Sequence, residues 1–435
     1  MGKSTLVRLF AEEEGMDLIE VNLEKTKLGE VENDTHFSVR RLLDEIEIAT
    51  GKRFSDNSLL FLDEIQSQPM AINRLRYLYE DTDGLKVIAA GSLLDVVLHE
   101  ERFSMPVGRV ESYVLGPFTF KEFLHATGEH MLVEQIEQIT PERPPSSTLH
   151  YKALDRLKEF FFIGGMPEAV KVFVEERSLE NVRKVHQSLL DTYESDIPKY
   201  TKGKKENRVR DVYQYVLRHA GEVKVKFSSV SSTNSNEIKN AIDVLSRAYV
   251  IRKVIHTHAA GVPLSAGENA SVLKLFFLDV GLLNAFLGVS WGHIFKSEPE
   301  SFLLRGVIAE QFAAQHLQQS VAQYQYDLHY WLREGRSTAA EVDFLTSLDN
   351  EIVPIEIKSG KSGKLNSLWQ FIEERSPKLA VRFDLTKRVE LLSHERRKAD
   401  AGRILQVNLL SLPLYAIEEL TSILKRQITM TSDMK

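Results

Sequence analysis

Acidic and basic side chains near the end of the chain have the types and spacing that metal-assisted cleavage of a phosphodiester requires. Glu341 and Asp343 are two positions apart in one apolar run, and Glu356 and Lys358 are two apart in the next. Side chains two apart on a strand point to the same face, so each pair shares a face if the runs are extended. Asp343 and Glu356 would then bind Mg²⁺, while Lys358 would orient or activate water and offset developing negative charge. An amphipathic hairpin with a charged outer face would carry the same pattern.

A second group of residues matches the end of a G-x-x-x-x-G-K-[ST] phosphate-binding loop: Gly2, Lys3, Ser4 and Thr5. In the complete motif, backbone N–H groups hold the phosphates at a helix N-terminus. Lys3 would reach the β- and γ-phosphates of ATP, and the Ser4 hydroxyl would be a ligand of Mg²⁺. Apolar residues at helical spacing follow and predict that helix. Four residues alone are weak evidence, because short matches are common by chance.

Two carboxylates at the end of an apolar run strengthen the nucleotide interpretation. The run at 59–62 predicts a buried strand that delivers Asp63 and Glu64 at its carboxyl end, the edge where open α/β sheets bind ligands. Asp63 would hold Mg²⁺, and Glu64 would polarise the attacking water. An apolar strand that merely ends in two solvated acidic residues would show the same sequence pattern. The order of the features, with a further strand at 87–90, favours a nucleotide site.

In this order the motifs resemble those of the AAA-type P-loop ATPases of bacteria and archaea that carry a C-terminal nuclease-like domain of unknown function. The stretches at 105–109 and 115–124 and the sequence FIGGMPEA, at 162–169, match the same family. The resemblance implies that Ser92 is a polar sensor beside the γ-phosphate and that FIGGMPEA forms a turn in a helical lid. It also implies that Arg109 stabilises charge, in its own chain or from a neighbouring subunit. An Arg109 paired with an acid at the rim of the core is the alternative.

The acidic cluster near the C-terminus resembles the PD-(D/E)xK nuclease superfamily, with Val342 at the place of the motif's proline. Glu310 matches the acidic residue that this family carries on the preceding helix. The resemblance implies a restriction-endonuclease-like α/β domain in which Glu310, Asp343 and Glu356 are ligands of one metal ion. Oxygen ligands without histidine or cysteine favour Mg²⁺ or Mn²⁺ over zinc. Many such folds are binding domains, so a non-catalytic domain is the alternative.

Between these groups the sequence predicts a winged-helix-like segment. It contains helical patterns at 209–219 and 237–248, and β-like runs at 249–255 and 272–278 that would form the wing. Such a segment can place its second helix in the major groove of DNA. Five basic residues add local positive charge nearby: Lys202, Lys204, Lys205, Arg208 and Arg210. Packing against protein is the alternative use of the same segment.

The predicted fold class is α/β with four parts. Residues 1–140 are expected to form an AAA-type P-loop ATPase core with a parallel sheet, 150–202 a helical lid, 203–290 the winged-helix-like domain and 299–415 the nuclease-like domain. The complete motif has a strand and the start of the loop before the position of Met1, so we expect a misassigned start or a fragment. We then expect the chain as given to bind nucleotide poorly, because the backbone N–H groups that wrap the phosphates are missing.

Composition limits the functional classes further. The chain has 435 residues and no cysteine, which excludes disulfides, cysteine-ligated zinc and thiol catalysis. Its formal net charge of −7 gives no overall attraction to nucleic acid, so DNA contact would depend on local basic patches. No apolar run approaches the ~18 residues of a membrane span, and we therefore expect no membrane association and a cytoplasmic location.

Three hypotheses follow, and the third is that the chain as given is inactive because its phosphate-binding loop is broken. The first is an AAA-type protein that uses ATP and Mg²⁺ and controls a DNA-associated, nuclease-like module, with DNA and further copies of the chain as partners. The second is a non-catalytic regulator that binds DNA or protein under the control of nucleotide and contains a retired nuclease fold. The first two differ in whether the acidic cluster cleaves DNA.

Overall fold

The computed structural model separates the chain into two units, Met1–Leu115 and Gly116–Lys435. The structure describes residues 2–28, 38–92, 108–201, 204–222, 224–230, 234–295, 305–320, 327–333, 340–348, 350–358, 365–385, 391–398 and 403–432.

A three-stranded parallel sheet forms the centre of the first unit. Its strands lie in the order β1 (Asp17–Asn22), β2 (Ser58–Asp63) and β3 (Lys86–Ala90). Every residue of β2 is buried, as expected for the middle strand of a parallel sheet. The runs predicted as strands at 59–62 and 87–90 therefore lie in β2 and β3. Within the described residues of this unit the helices are α1 (Lys3–Glu13), α2 (Val39–Thr50) and α3 (Met70–Asp81), with a 3₁₀ turn at Ile65–Ser67.

An eight-stranded mixed sheet runs through the second unit. Its strands are β4 (Ile251–Thr257), β5 (Glu268–Phe277), β6 (Leu328–Leu332), β7 (Glu341–Leu348), β8 (Glu351–Lys358), β9 (Leu379–Asp384), β10 (Leu392–Lys398) and β11 (Ile404–Pro413). In space they lie in the order β10, β11, β9, β8, β7, β6, β4, β5. The run that carries Glu341 and Asp343 forms β7, and the run that carries Glu356 and Lys358 forms β8; the two strands pair antiparallel.

The β4–β5 hairpin, which the sequence predicts as a wing, belongs to that same sheet. β5 pairs antiparallel with β4, and β4 pairs in parallel with β6 through the partners Val254–Leu328 and His256–Tyr330. Parallel strands need a long connection, and here it is the chain between β5 and β6. The hairpin therefore extends the sheet that contains β7 and β8, and no separate sheet is formed by it in the described residues.

The helices of the second unit follow from local signals as well as from packing. In α12, for example, the Asn234 side chain caps the first turn by accepting a hydrogen bond from Asn236 N at 3.0 Å. No helix within the described ranges is long and apolar enough to cross a membrane. The helices are α4 (Phe120–Ala126), α5 (His130–Glu137), α6 (Ser147–Ile163), α7 (Pro167–Glu176), α8 (Leu179–Ser195), α9 (Ile197–Tyr200), α10 (Lys204–His219), α11 (Phe227–Val230), α12 (Ser235–Arg247), α13 (Val280–Phe286), α14 (Trp291–Phe295), α15 (Arg305–Ser320), α16 (Asn366–Arg375) and α17 (Leu420–Ser432), with 3₁₀ turns at Leu264–Gly267 and Leu414–Glu419.

The glycine-rich turn between α6 and α7 joins distant parts of the second unit. Gly165 N donates to Asp279 Oδ2 at 2.7 Å, and Phe118 N donates to Gly165 O at 2.7 Å. A Cβ atom at Gly165 would lie 2.1 Å from Phe118 O. One at Gly164, where φ is +73°, would lie 2.2 Å from Asp279 Oδ1. Close backbone packing therefore requires both glycines.

Candidate functional site

The predicted nucleotide-binding residues of the first unit meet at the carboxyl end of β2. Helix α1 begins at Lys3, directly after Gly2, whose φ of 84° is left-handed. The Ser4 hydroxyl donates a hydrogen bond to Asp63 Oδ2 at 3.0 Å. Only 8% of the Asp63 surface is exposed. A hydroxyl and a carboxylate held together beside a helix N-terminus supply oxygen ligands that suit Mg²⁺ and N–H groups that suit phosphate.

Glu64 and Ser92 are linked by Gln66, which none of the sequence motifs includes. Gln66 Nε2 contacts Glu64 Oε2 and donates to Ser92 Oγ at 3.4 Å. A Cβ atom on Gly91 would lie 2.4 Å from Gln66 Oε1, so the glycine leaves room for this amide. One amide group, that of Gln66, thus contacts both Glu64, the predicted water-polarising carboxylate, and Ser92, the predicted sensor. A polar residue two positions after the carboxylates was the available sequence signal.

The Arg109 side chain packs against α3. Its Nε lies 3.3 Å from Glu80 Oε1, and its guanidinium carbon lies 5.5 Å from the centre of the Tyr79 ring. The Arg109 side chain is 41% exposed. The sequence leaves two roles open for Arg109, charge stabilisation and pairing with an acid. The contact with Glu80 is such a pairing. A partly exposed arginine remains accessible to a ligand from outside the chain.

The predicted metal and lysine residues of the second unit lie on β7 and β8. Asp343 Oδ2 accepts a hydrogen bond from the Ile357 backbone N–H at 2.7 Å, and Lys358 Nζ forms an ion pair with Glu356 Oε1. Asp343 and Glu356 are 9% and 4% exposed, whereas 21% of the Lys358 side chain is exposed. Glu356 and Lys358 therefore share one face of β8, as the period of two predicts.

A buried lysine outside the predicted motifs completes this cluster. Lys274 Nζ lies 3.2 Å from Glu310 Oε2 and forms a second ion pair with Glu341 Oε1. Only 1% of the Lys274 side chain is exposed, and the ring centres of Tyr330 and Phe344 lie 5.4 Å and 5.9 Å from Nζ. Lys274 belongs to β5, so the β4–β5 hairpin contributes a residue to the acidic cluster.

Burial and mutual repulsion raise the pKa of carboxyls in this cluster. Burial raises the pKa of Glu356 most, Asp343 raises it further, and Lys358 lowers it in part. Burial likewise raises the pKa of Glu310, which Lys274 lowers and Asp343 raises. Burial lowers the pKa of Lys358, but Glu356 and Asp343 outweigh it and bring that pKa above its ordinary value. A cation among these groups would offset their repulsion.

The donor atoms of the cluster suit a hard divalent cation, although their side chains do not surround one point. Glu356 Oε2 is buried and accepts no hydrogen bond from the described residues. Asp343 and Glu356 offer oxygen atoms only, which favour Mg²⁺ or Mn²⁺. Within the described ranges, no three histidine, aspartate or glutamate side chains are grouped closely enough to hold a metal ion as they stand. Glu310, the third expected ligand, is held by Lys274.

The basic residues near the winged segment are in part neutralised. Arg208 forms ion pairs with one acid on α10 and one on α12, and Arg210 forms one with an acid on α8. Lys205 is exposed at the start of α10. Lys202 and the Lys204 side chain lie outside the described residues. Of the predicted patch, Lys205 is thus the residue that the structure describes as exposed.

Comparison with known families supports an AAA-type ATPase-like domain in the N-terminal part of the chain. A family model described as an AAA domain matches residues 1–124, a range that includes the whole first unit. Two further family models, each described as a domain of unknown function, match residues 154–292 (DUF8612) and 305–410 (DUF4143). No curated protein and no solved structure was found to match the chain. The chain thus joins an ATPase-like domain to two regions whose families carry no assigned function.

Proposed function

We propose that this protein binds and hydrolyses ATP with Mg²⁺ and thereby controls a DNA-cleaving centre in its C-terminal region. The observation that carries the proposal is the buried group of four carboxyls and two lysines on α15, β5, β7 and β8. Such a concentration of buried charge is costly for stability, so it is typical of functional sites. DNA and further copies of the chain are the proposed partners.

In the ATPase-like domain each predicted residue has a role that its position supports. The loop of Gly2, Lys3, Ser4 and Thr5 would hold the phosphates, with Ser4 and Asp63 as ligands of the ATP-bound Mg²⁺. Glu64 would polarise the attacking water, and Ser92 would sense the γ-phosphate. Arg109, which is partly exposed, would stabilise charge on the phosphates of a neighbouring copy of the chain.

In the second unit, Asp343 and Glu356 would hold Mg²⁺, which supplies a Lewis acid for the scissile phosphate when it is bound. The unpartnered Oε2 of Glu356 supports this assignment. Lys358 would orient a water for attack on phosphorus and stabilise the added negative charge. One P–O bond forms to the water oxygen, which releases a proton to solvent, while the bond to the leaving oxygen breaks and that oxygen takes up a proton from solvent. Lys358 is suited to this role because its side chain is partly exposed beside Glu356.

A DNA cleavage assay with matched variants tests the nuclease part. We expect the wild type to cleave plasmid DNA weakly with Mg²⁺ or Mn²⁺, and Asp343→Ala and Lys358→Ala to lose this activity. Lys378→Ala is the control, because it breaks an ion pair with Glu351 on the same sheet without touching the cluster. Cleavage that persists in Asp343→Ala would show that the activity comes from elsewhere.

An ATPase assay tests the other part. In a chain that includes the complete phosphate-binding loop, we expect Glu64→Gln to abolish ATP hydrolysis while ATP stays bound, because Gln cannot accept a proton from the attacking water. Glu12→Gln, an exposed acid on α1, is the matched control and should hydrolyse ATP like the wild type. If the ATPase controls the nuclease-like centre, DNA cleavage by Glu64→Gln should no longer respond to ATP. An unchanged response would separate the two activities.

The pairing of Glu310 and Glu341 with Lys274 favours a second candidate, a non-catalytic regulator that binds DNA or protein under nucleotide control. In that case the two lysines would offset two of the four carboxylate charges of a retired acidic site, and no metal ion would bind there. This candidate predicts that the wild type binds DNA without cutting it. It also predicts that Asp343→Ala binds DNA as the wild type does.

A further inference from the structure

Lys274 is a charged residue in a place where hydration is excluded. Its side chain is only 1% exposed, and it lies in β5 among the apolar residues of the strand's buried half. A lone ammonium group loses its hydration there, so it is retained only with good partners. The partners are Glu310, at 3.2 Å from Nζ, and Glu341. The three aromatic rings around Nζ, at 5.4 to 6.0 Å, can stabilise a cation but cannot act as metal ligands.

The acidic cluster therefore has two halves with different cations. In the first half, Lys274 is held between Glu310 and Glu341 in a fully buried position. In the second half, Glu356 uses one carboxylate oxygen for the partly exposed Lys358, while its other oxygen is buried without a partner. Two described carboxylate oxygens of the cluster are buried without a hydrogen bond: Glu341 Oε1 is ion-paired with Lys274, whereas Glu356 Oε2 has no ion pair.

Counting charges gives the number of divalent ions that the cluster can accept. Four carboxylates face two lysines, so the fully ionised group carries two negative charges. The neighbouring pair Arg382–Asp384, on β9 beside Glu356 and Lys358, is neutral in sum and leaves this count unchanged. One divalent ion brings the cluster to neutrality, whereas two would leave two buried positive charges.

We propose that the Lys274 ammonium takes the place of a second metal ion, so that the centre binds a single divalent cation on the side of Asp343 and Glu356. This inference rests on the proposed metal-dependent function. Lys274 is a positioning residue in this scheme: it holds Glu310 and Glu341 by charge and does not touch the reacting phosphate. The topology of the sheet determines this position of Lys274. Strand β5 joins the sheet through β4, and from there its lysine reaches Glu310 on α15 and Glu341 on β7.

The test is the number of Mn²⁺ ions bound per chain, measured by electron paramagnetic resonance of free Mn²⁺ during titration. The Asp343→Ala/Glu356→Ala double variant supplies the background from other sites. We expect one ion for the wild type and two for Lys274→Ala, which frees Glu310 and Glu341 and leaves space for an ion with its waters. Lys253→Ala is the control, because it removes a lysine with two ion pairs from the adjacent strand β4. It should bind one ion.

Two further variants keep the test decisive. Lys274→Arg retains the cation and should bind one ion, and Lys274→Ala/Glu341→Gln removes a ligand together with the lysine and should also bind one. Two ions in the wild type, or one in a folded Lys274→Ala, would overturn the inference. In the latter case the single metal site of the proposed function survives. A wild type that binds no Mn²⁺ above background overturns both.

Discussion

Glu418 offers a pH-dependent test of the packing in the second unit. Its side chain is 10% exposed, and its Oε1 accepts a hydrogen bond from Lys121 N at 3.0 Å. Burial raises the pKa of Glu418 from 4.5 to about 7, although hydrogen bonds from Lys121 and Thr119 lower it in part. His316 Nε2 lies 3.9 Å from this carboxyl but adds no positive charge. Burial lowers the pKa of His316 to about 3, and its Nε2 accepts a hydrogen bond from Phe120 N at 2.9 Å.

The raised pKa fixes the sign and size of the effect on stability. A carboxyl with a higher pKa in the folded state than in the unfolded state binds its proton more tightly when folded. The contribution of Glu418 to the free energy of unfolding is complete below pH 4.5 and is lost as the pH rises through about 7. At about 1.4 kcal/mol for each pKa unit, the rise from 4.5 to about 7 corresponds to about 3 kcal/mol. Glu418→Gln keeps an acceptor for Lys121 N–H and does not titrate. We expect it to match the wild type in acid and to exceed it by up to about 3 kcal/mol at about pH 8.5.

Urea unfolding followed by tryptophan fluorescence measures this difference. The probe is suitable because all three tryptophans, Trp291, Trp331 and Trp369, lie in the second unit. Glu134→Gln is the control, since it makes the same substitution at an exposed position on α5. Its difference from the wild type should stay near zero throughout. A Glu418→Gln effect that is constant between about pH 5 and about pH 8.5 would refute the reasoning.

Further predictions concern the glycine-rich turn and DNA contact. Gly165→Ala should lower the free energy of unfolding by roughly 3 kcal/mol, because its Cβ would meet a backbone carbonyl at 2.1 Å. Gly261→Ala, with no atom within 4 Å of the new Cβ, should change it by less than about 0.5 kcal/mol in the same urea assay. Asp279→Ala should cost about 2–6 kcal/mol, since it strands the buried N–H groups of Gly165 and Leu282. If α10 contacts DNA phosphates, Lys205→Glu should reduce the salt dependence of DNA binding, measured by fluorescence anisotropy, by about one phosphate contact. An unchanged slope would assign the winged segment to protein packing.

Short-range patterns in the sequence were sufficient for the parts of both sites that lie on single elements. The period of two in the runs around Asp343 and Glu356 predicts β7 and β8, because an alternating pattern fits a strand and conflicts with a helix. The contact between Ser4 and Asp63 is also predicted, since a helix N-terminus and the carboxyl end of a parallel strand meet at one edge of such a sheet. The turn at Gly164 and Gly165 is predicted by its glycines, although their partner Asp279 is not.

Residues that arrive through distant pairing could not be predicted in the same way. Lys274 interrupts the apolar run at 272–278, which signals a buried charge, yet nothing local identifies its partners. They depend on the parallel pairing of β4 with β6, which leaves only β6 between the hairpin and β7. The motif-based boundary between 203–290 and 299–415 passes between Lys274 and Glu310, which the structure places 3.2 Å apart. The link that Gln66 makes was missed for a related reason, because it depends on Ser92, which follows the neighbouring strand β3.

The link between the hairpin and the acidic cluster is reinforced by backbone contacts next to the ion pair. Phe277 N donates to Gln311 Oε1 at 2.9 Å, and Gln311 Nε2 donates to Phe277 O at 2.7 Å. Gln311 follows Glu310 on α15, and Phe277 lies three residues after Lys274 on β5. Because the backbone N–H and C=O of one buried residue both bond to the Gln311 amide, α15 and β5 are held together beside the Lys274–Glu310 pair. A ligand that displaced the hairpin would have to break these hydrogen bonds or move α15 and Glu310 with it. If the predicted winged segment binds DNA or protein as proposed, we expect the ligand to act on the acidic cluster through β5, because the hairpin is bonded to the helix that carries Glu310.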